Sequence, residues 1–269
     1  MKKKVAILCF SPTSTTRTVC GAIASGMGTD EPLMLDMTLP EARREIVDKK
    51  GALLDAVDHV VVGAPVYAGK LPIPVIECLG ALKGDGKNAA AVVVYGNRDY
   101  GVALHSMAEI LSRNGFSVIA AGAFIAQHSY SDLIPVAMGR PDPSDLEKAR
   151  QFGARMAGAV KPLSLEEIPL QWDRASRSKS YTALNPLYRA KKCIQCGKCA
   201  RACPAGIIAP ASGAYLKGID RKACVGCMAC VKSCQTGARY LKVNPLVQMV
   251  INRILGEASR KRKEPTVVV

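Results

Sequence analysis

Aromatic residues are scarce in this 269-residue chain, 5% of the total with a single tryptophan, and histidine occurs only three times. So few rings, with no RNA- or DNA-binding motif, argue against base stacking on nucleic acid despite a net charge of +15. No apolar run approaches the roughly 20 residues that cross a membrane. G-x-G-x-x-G and G-K-[ST] are both missing, so neither a dinucleotide-binding turn nor a P-loop is indicated. The opening "MKKKVAILCF" places lysines before apolar residues as a secretory signal would. Its apolar run is only six residues long, and a Ser/Thr-rich turn follows in place of a cleavage site. It reads as a first β-strand, and the expectation is a cytoplasmic protein, where free thiols stay reduced.

The positive charge is unevenly placed. Residues 1–160 carry 17 Lys+Arg against 16 Asp+Glu, whereas residues 161–269 carry 20 against 6. Anionic metal–thiolate centres would offset part of that excess. The remaining basic face suits an acidic redox partner protein.

What the chain has in quantity is cysteine, 11 residues, of which eight fall in two runs. "KKCIQCGKCARACP" (191–204) and "CVGCMACVKSCQ" (224–235) share the spacing C-x2-C-x2-C-x3-C. Soft thiolates at this spacing converge on a soft metal centre, and it is the run of bacterial two-cluster ferredoxins, whose fourth cysteine crosses to the other cluster. On that rule Cys193, Cys196, Cys199 and Cys234 hold one [4Fe–4S] cluster, and Cys224, Cys227, Cys230 and Cys203 hold the second. A structural zinc site would use paired C-x2-C knuckles and would not need the third and fourth cysteines of each run. Cys9, Cys20 and Cys78 lie in apolar surroundings and read as small core residues.

The first 160 residues alternate apolar runs with helical patterns, the signature of an α/β doubly wound parallel sheet. Five strands are expected at 4–10, 32–37, 58–64, 88–96 and 116–125, with helices near 15–27, 41–56, 73–82, 102–114 and 143–160. The first strand ends in a hydroxyl-rich turn, Ser11, Thr13, Ser14, Thr15 and Thr16, that opens the first helix and makes a phosphate cradle. "APVYAGKLP" (64–72) and "YGNRDYG" (95–101) follow the third and fourth strands, where open α/β sheets bind ligands. Pro65, Val66, Tyr67, Ala68 and Gly69 in the first loop, and Gly96, Asn97, Arg98, Tyr100 and Gly101 in the second, combine glycines that let backbone approach a flat ring with tyrosines that stack on it.

Over residues 3–160 these features resemble flavodoxins, with their S/T-x-T-G-x-T phosphate loop and two loops clasping the isoalloxazine of FMN. The family has glycine where this chain has Ser14, which implies strain and weaker FMN binding if that position needs φ > 0. Residues 190–243 resemble bacterial ferredoxins, except that Gln235 replaces the usual proline after the last cysteine. The whole chain is similar to the flavodoxin–ferredoxin fusion proteins of anaerobic bacteria and archaea. That resemblance implies an electron carrier with FMN and two [4Fe–4S] clusters in a flavodoxin-like five-stranded sheet domain followed by a small α+β ferredoxin domain. A rival reading is an FMN-dependent reductase of a small molecule fed by the clusters, with Tyr67, Tyr100 or His128 as proton donor.

The expected organisation is a flavin domain over 1–160, a linker or strap over 161–190 with Trp172 and "SRSKSY", a cluster domain over 191–243, and an amphipathic helix with a basic tail over 244–269. The helix "PLVQMVINRILG" is expected to pack on its own domain, and "RKRK" (260–263) to be a solvated tail. His59, His105 and His128 form no motif, although His128 follows the last strand at the rim of the flavin site. A cluster must lie near the flavin for electrons to pass, and a strap this long permits docking in cis or onto a second copy; a fixed arrangement in a head-to-tail homodimer, one chain's clusters beside the other's FMN, is expected.

Overall fold

A computed structural model describes residues 3–49, 52–171 and 184–269; Trp172 and "SRSKSY" lie outside them. The strands are β1 (Val5–Cys9), β2 (Leu33–Asp36), β3 (His59–Pro65), β4 (Asn88–Tyr95) and β5 (Ser117–Ile125). Helices α1 (Thr15–Gly26), α2 (Pro40–Asp48), α3 (Ile73–Gly80), α4 (Ala103–Arg113) and α5 (Pro143–Gly158) alternate with them. Each lies within a few residues of its expected place, except that α2 ends early and a 3-10 turn at Ala52–Leu54 follows it. The order β2-β1-β3-β4-β5, all parallel, is the flavodoxin-like doubly wound arrangement.

Side-chain alternation splits the apolar strands between two cores. Ala6, Leu8, Phe10, Val60 and Val62 face α2, α3 and α4 through Ile46, Leu79 and Leu104. Val5, Ile7, Cys9 and Val61 face α1 and α5 through Ile23 and Phe152. Covered on both faces, β1 is buried along its whole length, which is why it reads as an uninterrupted apolar run.

The cysteine-rich segment is two pseudo-equivalent halves. β6 (Leu187–Tyr188) pairs antiparallel with β7 (Arg239–Tyr240), and Ile208 forms an isolated bridge to Tyr215. Short helices α6 (Lys198–Arg201) and α7 (Ala229–Lys232) follow the central cysteines of each run.

The C-terminus differs from expectation. Helix α8 (Pro245–Arg260) buries Ile251, Leu255 and Ala258 against Val136 and Leu184, with Tyr130, Leu133 and Ile134 packed alongside, and so rests largely on the loop after β5. The chain then adds a sixth strand, β8 (Thr266–Val268), antiparallel to β5 with Gly122 opposite Val267. The basic run is therefore no solvated tail. Arg262 pairs with Asp142 at 2.7 Å and Asp145 at 3.1 Å, Lys148 pairs with Glu264, and Lys263 donates to the carbonyl of Arg98. The acidic N-terminus of α5 draws the cations in, and the open edge of β5 takes up the last valines. The cysteine-rich segment is thus held to the flavodoxin-like sheet at both ends.

Candidate functional site

Two cavities in the cysteine-rich segment divide the eight cysteines as the spacing rule requires. One is lined by Cys203, Cys224, Cys227 and Cys230, the other by Cys193, Cys196, Cys199 and Cys234. In each, three cysteines come from one run and the fourth from the other. Both runs turn on left-handed residues at matching places, Gln195 (φ 55°) with Gly226 (φ 68°), and Gly197 (φ 69°) with Met228 (φ 63°). The kink at Gln195 aims its N–H at Cys193 Sγ at 3.4 Å, and beyond the second run Arg239 in β7 donates its N–H to Cys234 Sγ at 3.3 Å. Gly213 (φ 68°) is left-handed, and a Cβ there would crowd the first cysteine set at 3.3 Å from Cys193 Sγ.

The donor set fits iron–sulfur cubes better than single ions. Among the described residues no three His, Cys, Asp or Glu side chains converge tightly enough to share one metal ion. Zinc would draw thiolates in to about 2.3 Å from itself, whereas a cube keeps its four ligands apart. Burial pushes the Cys230 thiol up to about 12 and Cys227 well above its ordinary range, so these sulfurs become thiolates only with a cationic centre between them. Cys234 differs: burial raises it too, but N–H groups of Arg239, Ala238 and Thr236 and the Thr236 hydroxyl outweigh that and bring its pKa below the usual value. Cys196 is exposed, while Cys203, Cys227 and Cys230 are buried.

A third cavity, about 310 Å³, opens at the carboxyl ends of the strands and lies at the low end for a cofactor pocket. From the hydroxyl-rich turn Thr13 and Thr15 line it. Ser11 and Thr16 instead turn inward: Ser11 Oγ accepts from the Arg17 N–H at 3.0 Å, the Ser11 N–H donates to Thr38 Oγ1 at 2.8 Å, and Thr16 is 1% exposed. They hold the loop in shape. Ser14 has φ 67°, the left-handed geometry for which glycine is the usual choice. Such a residue costs roughly 1–2 kcal/mol, partly offset in a glycine variant by unfolded-state entropy, so Ser14→Gly should raise the unfolding free energy by about 0.5–1 kcal/mol in urea titration.

Pro65, Val66, Tyr67 and Ala68 line the same cavity, as expected. Tyr67 and Lys70 exchange backbone hydrogen bonds at 3.0 and 3.1 Å around Ala68 and Gly69, both left-handed, which makes a tight turn that presents the Tyr67 ring. From the next loop Gly96 and Arg98 line the cavity, but the ring there is Tyr95. Tyr100 is a correction: it is 2% exposed and packs edge-on to Tyr95 at 5.5 Å between centroids. Gly69 and Gly101 meet backbone to backbone and join the two loops below the pocket. Asn97 turns its side chain away as well, donating to the carbonyls of Ala258 and Lys261 at 2.6 and 2.7 Å and accepting from the Lys263 N–H at 3.1 Å.

Of the remaining walls, sequence alone pointed only to His128, by its place after a strand end. Gln127, His128 and Tyr130 come from the loop after β5, Ile251 and Leu255 from α8, and Val225 and Gly226 from the second cysteine run. His128 is driven down to about 4 by burial and by the charges of Arg98 and Lys232. It is neutral near pH 7, and its Nδ1 accepts from the Tyr130 N–H at 3.1 Å, so the ring proton sits on Nε2. Val225 lines both this cavity and the one formed by Cys203, Cys224, Cys227 and Cys230. Tyr67 packs against Val225, Cys227 and Ala229. A single chain thus brings one cysteine set to the wall of the strand-end cavity, and this proximity needs no second copy.

Residues 192–239 match the family model of a 4Fe–4S dicluster domain. Among solved structures, a flavodoxin from the domain Archaea is similar at 20% identity over 57% of this chain and 96% of that one, with a TM-score of 0.42. Oxidised flavodoxin 2 from Bacillus cereus is similar at 16% identity over 57% of this chain and 97% of its own, TM-score 0.43. A flavodoxin, WrbA-like protein from Agrobacterium tumefaciens is similar at 18% identity over 58% and 95%, TM-score 0.39. No curated protein matches. No helix among the described residues is long and apolar enough to cross a membrane. The chain thus joins a parallel sheet of flavodoxin-like strand order to a segment that matches a 4Fe–4S dicluster domain.

Proposed function

We propose that this protein is an electron carrier in which FMN occupies the strand-end cavity and two [4Fe–4S] clusters occupy the two cysteine cavities. The observation that carries the reading is the shared wall at Val225, which puts one cysteine set beside the flavin cavity and leaves the other toward the protein's surface. When bound, a cubane carries one electron at a time and FMN carries one or two, so the pair converts between single-electron and two-electron traffic. The protein's own part is to hold and insulate. Thr13 and Thr15 at the α1 N-terminus would hold the phosphate, and Tyr67 and Tyr95 would supply the aromatic walls for the ring. His128 stays neutral, with its Nε2–H available as a hydrogen-bond donor.

Electrons enter or leave at the outer cysteine set. Cys196 is exposed there, Ile194 is 66% exposed beside it, and Lys191, Lys192, Lys198 and Arg201 are all exposed around them. An apolar tip ringed by cations suits a partner with an acidic face around its own redox centre. A cavity of about 310 Å³, at the low end for a single cofactor, leaves little room for a second small molecule, so the reductase is the lesser reading.

Anaerobically purified protein should contain about eight irons, eight labile sulfides and one non-covalent FMN per chain. FMN should be reduced through the clusters by a low-potential ferredoxin-type donor, at a rate that falls as salt is raised. Zinc in place of iron, or a chain that neither retains nor rebinds FMN, would overturn the proposal.

A further inference from the structure

Five residues after the last cysteine of each run stand pseudo-equivalent positions, Ile208 after Cys203 and Arg239 after Cys234. Both lie in short antiparallel pairings, Ile208 with Tyr215 and Arg239 with Tyr188. Both are buried, Ile208 4% and Arg239 1% exposed. One half of the pseudo-symmetric segment therefore holds an aliphatic side chain where the other holds a full positive charge.

That charge has no ordinary partner. Nη2 donates to the carbonyl of Gly213, while Nε and Nη1 are buried with no hydrogen-bond acceptor. Among the described residues no carboxylate pairs with it. Its guanidinium sits 4.4 Å from the Tyr215 ring centroid and 5.4 Å from that of Tyr188. Tyr215 lines the inner cysteine cavity; Tyr188 and Arg239 itself line the outer one. Aromatic faces offset only part of the cost of burying a cation, and an unpaired buried charge is otherwise strongly unfavourable. The missing counter-charge lies in the two cavities between which the guanidinium sits.

We propose that Arg239 is a potential-setting residue, a buried counter-cation to both clusters that makes the outer one easier to reduce than it would otherwise be. The inference rests on the two-cubane reading. Each cluster gains one negative charge when it takes up one electron, so a fixed cation beside it stabilises the reduced form more than the oxidised form. The outer cluster feels this more, because Arg239 lines its cavity directly and reaches the inner one only across Tyr215. The asymmetry between Arg239 and Ile208 thereby spaces the two potentials along the path to the flavin.

The test compares wild type, Arg239→Lys and Arg239→Gln, each purified anaerobically. Iron and sulfide are counted first, which judges the two-cubane reading by itself, and the clusters are then titrated against potential by electron paramagnetic resonance. In Arg239→Gln the reduced-to-oxidised ratio of one cluster at fixed potential should fall at least tenfold, about 59 mV for a one-electron couple. The other cluster should move less, and Arg239→Lys should stay close to wild type. If Arg239→Gln fails to retain iron while Arg239→Lys holds a full complement, the charge is needed even to assemble the centres, which supports the proposal. Lys and Gln variants with the same potentials as each other, or loss of iron in both, would overturn it, because shape and not charge would then be decisive.

Discussion

Asp145→Ala should destabilise the protein by about 3–5 kcal/mol, the cost of stranding a buried charge. Asp145 is 3% exposed and accepts from Arg140 Nε at 2.8 Å, from the Asp142 N–H at 3.0 Å and from Arg262 Nη2 at 3.1 Å. Arg140, 7% exposed, also donates to Asp145 through Nη2 and spends Nη1 on the carbonyl of Lys263 at 3.1 Å and on Asn97 Oδ1 at 3.4 Å. One carboxylate therefore supports the first turn of α5, the loop after β4 and the segment leading into β8. Removing it leaves Arg140 buried without an anion, and water cannot easily replace the lost partner. Asp142→Ala is the control. It removes the capping acceptor and an exposed pair with Arg262, and should cost much less than Asp145→Ala. Hydrogen bonds from Arg262 and from the Asp145 backbone hold the Asp142 carboxyl well below the usual carboxylate range. Its contribution is therefore complete above the unfolded value near pH 4 and fades only as pH falls further. Urea unfolding of the two variants at pH 7 decides the matter: equal losses would mean that Arg140 finds another partner.

The same network shows where the sequence was legible and where it was not. The parallel strands could be read because burial on both faces demands unbroken apolar runs, as in "VAILC" and "HVVVGAP". The two cysteine sets could be read because ligand spacing leaves little freedom, and the cavities divide the cysteines accordingly. β8 could not. Three valines after a basic run have no period of their own, and they become a strand only because β5 offers an unpaired edge. "RKRK" looks solvated until Asp142 and Asp145 are brought beside it from about 120 residues away in sequence. Within the loops after the strands, strand-end position picked out segments that line the cavity but not the direction of each side chain. Tyr100 folds under while Tyr95 lines the wall, and Ser11 and Thr16 face inward while Thr13 and Thr15 face the cavity. Nor could strap length choose between docking in cis and in trans. The second tether, α8 with β8, brings the second cysteine run to its own chain's sheet, and the head-to-tail pair loses the reason for which it was expected.

Cys203→Ala and Cys234→Ala should each halve the iron content, from about eight to about four, yet differ completely in what reaches the flavin. Cys203 belongs to the first run in sequence but lines the cavity of Cys224, Cys227 and Cys230, the one that shares Val225 with the strand-end cavity. Cys234 belongs to the second run but lines the outer cavity with exposed Cys196. Cys203→Ala therefore removes the inner centre, and reduction of FMN through the protein should drop to background while the outer centre still accepts electrons from a partner. Cys234→Ala removes the outer centre, so electrons must reach the inner one without the basic tip at Lys191, Lys192, Lys198 and Arg201. Donor-driven reduction should then become slow and nearly independent of salt, while a small chemical reductant still reduces FMN promptly. Both variants should bind FMN as wild type does, because neither cysteine lines its cavity. Rapid-mixing absorbance separates the arms, since flavin and cluster bleach at different wavelengths. If Cys203→Ala leaves donor-driven FMN reduction intact and Cys234→Ala abolishes it, the cluster nearest the flavin is the other one, and the path proposed through Val225 and Tyr67 is wrong.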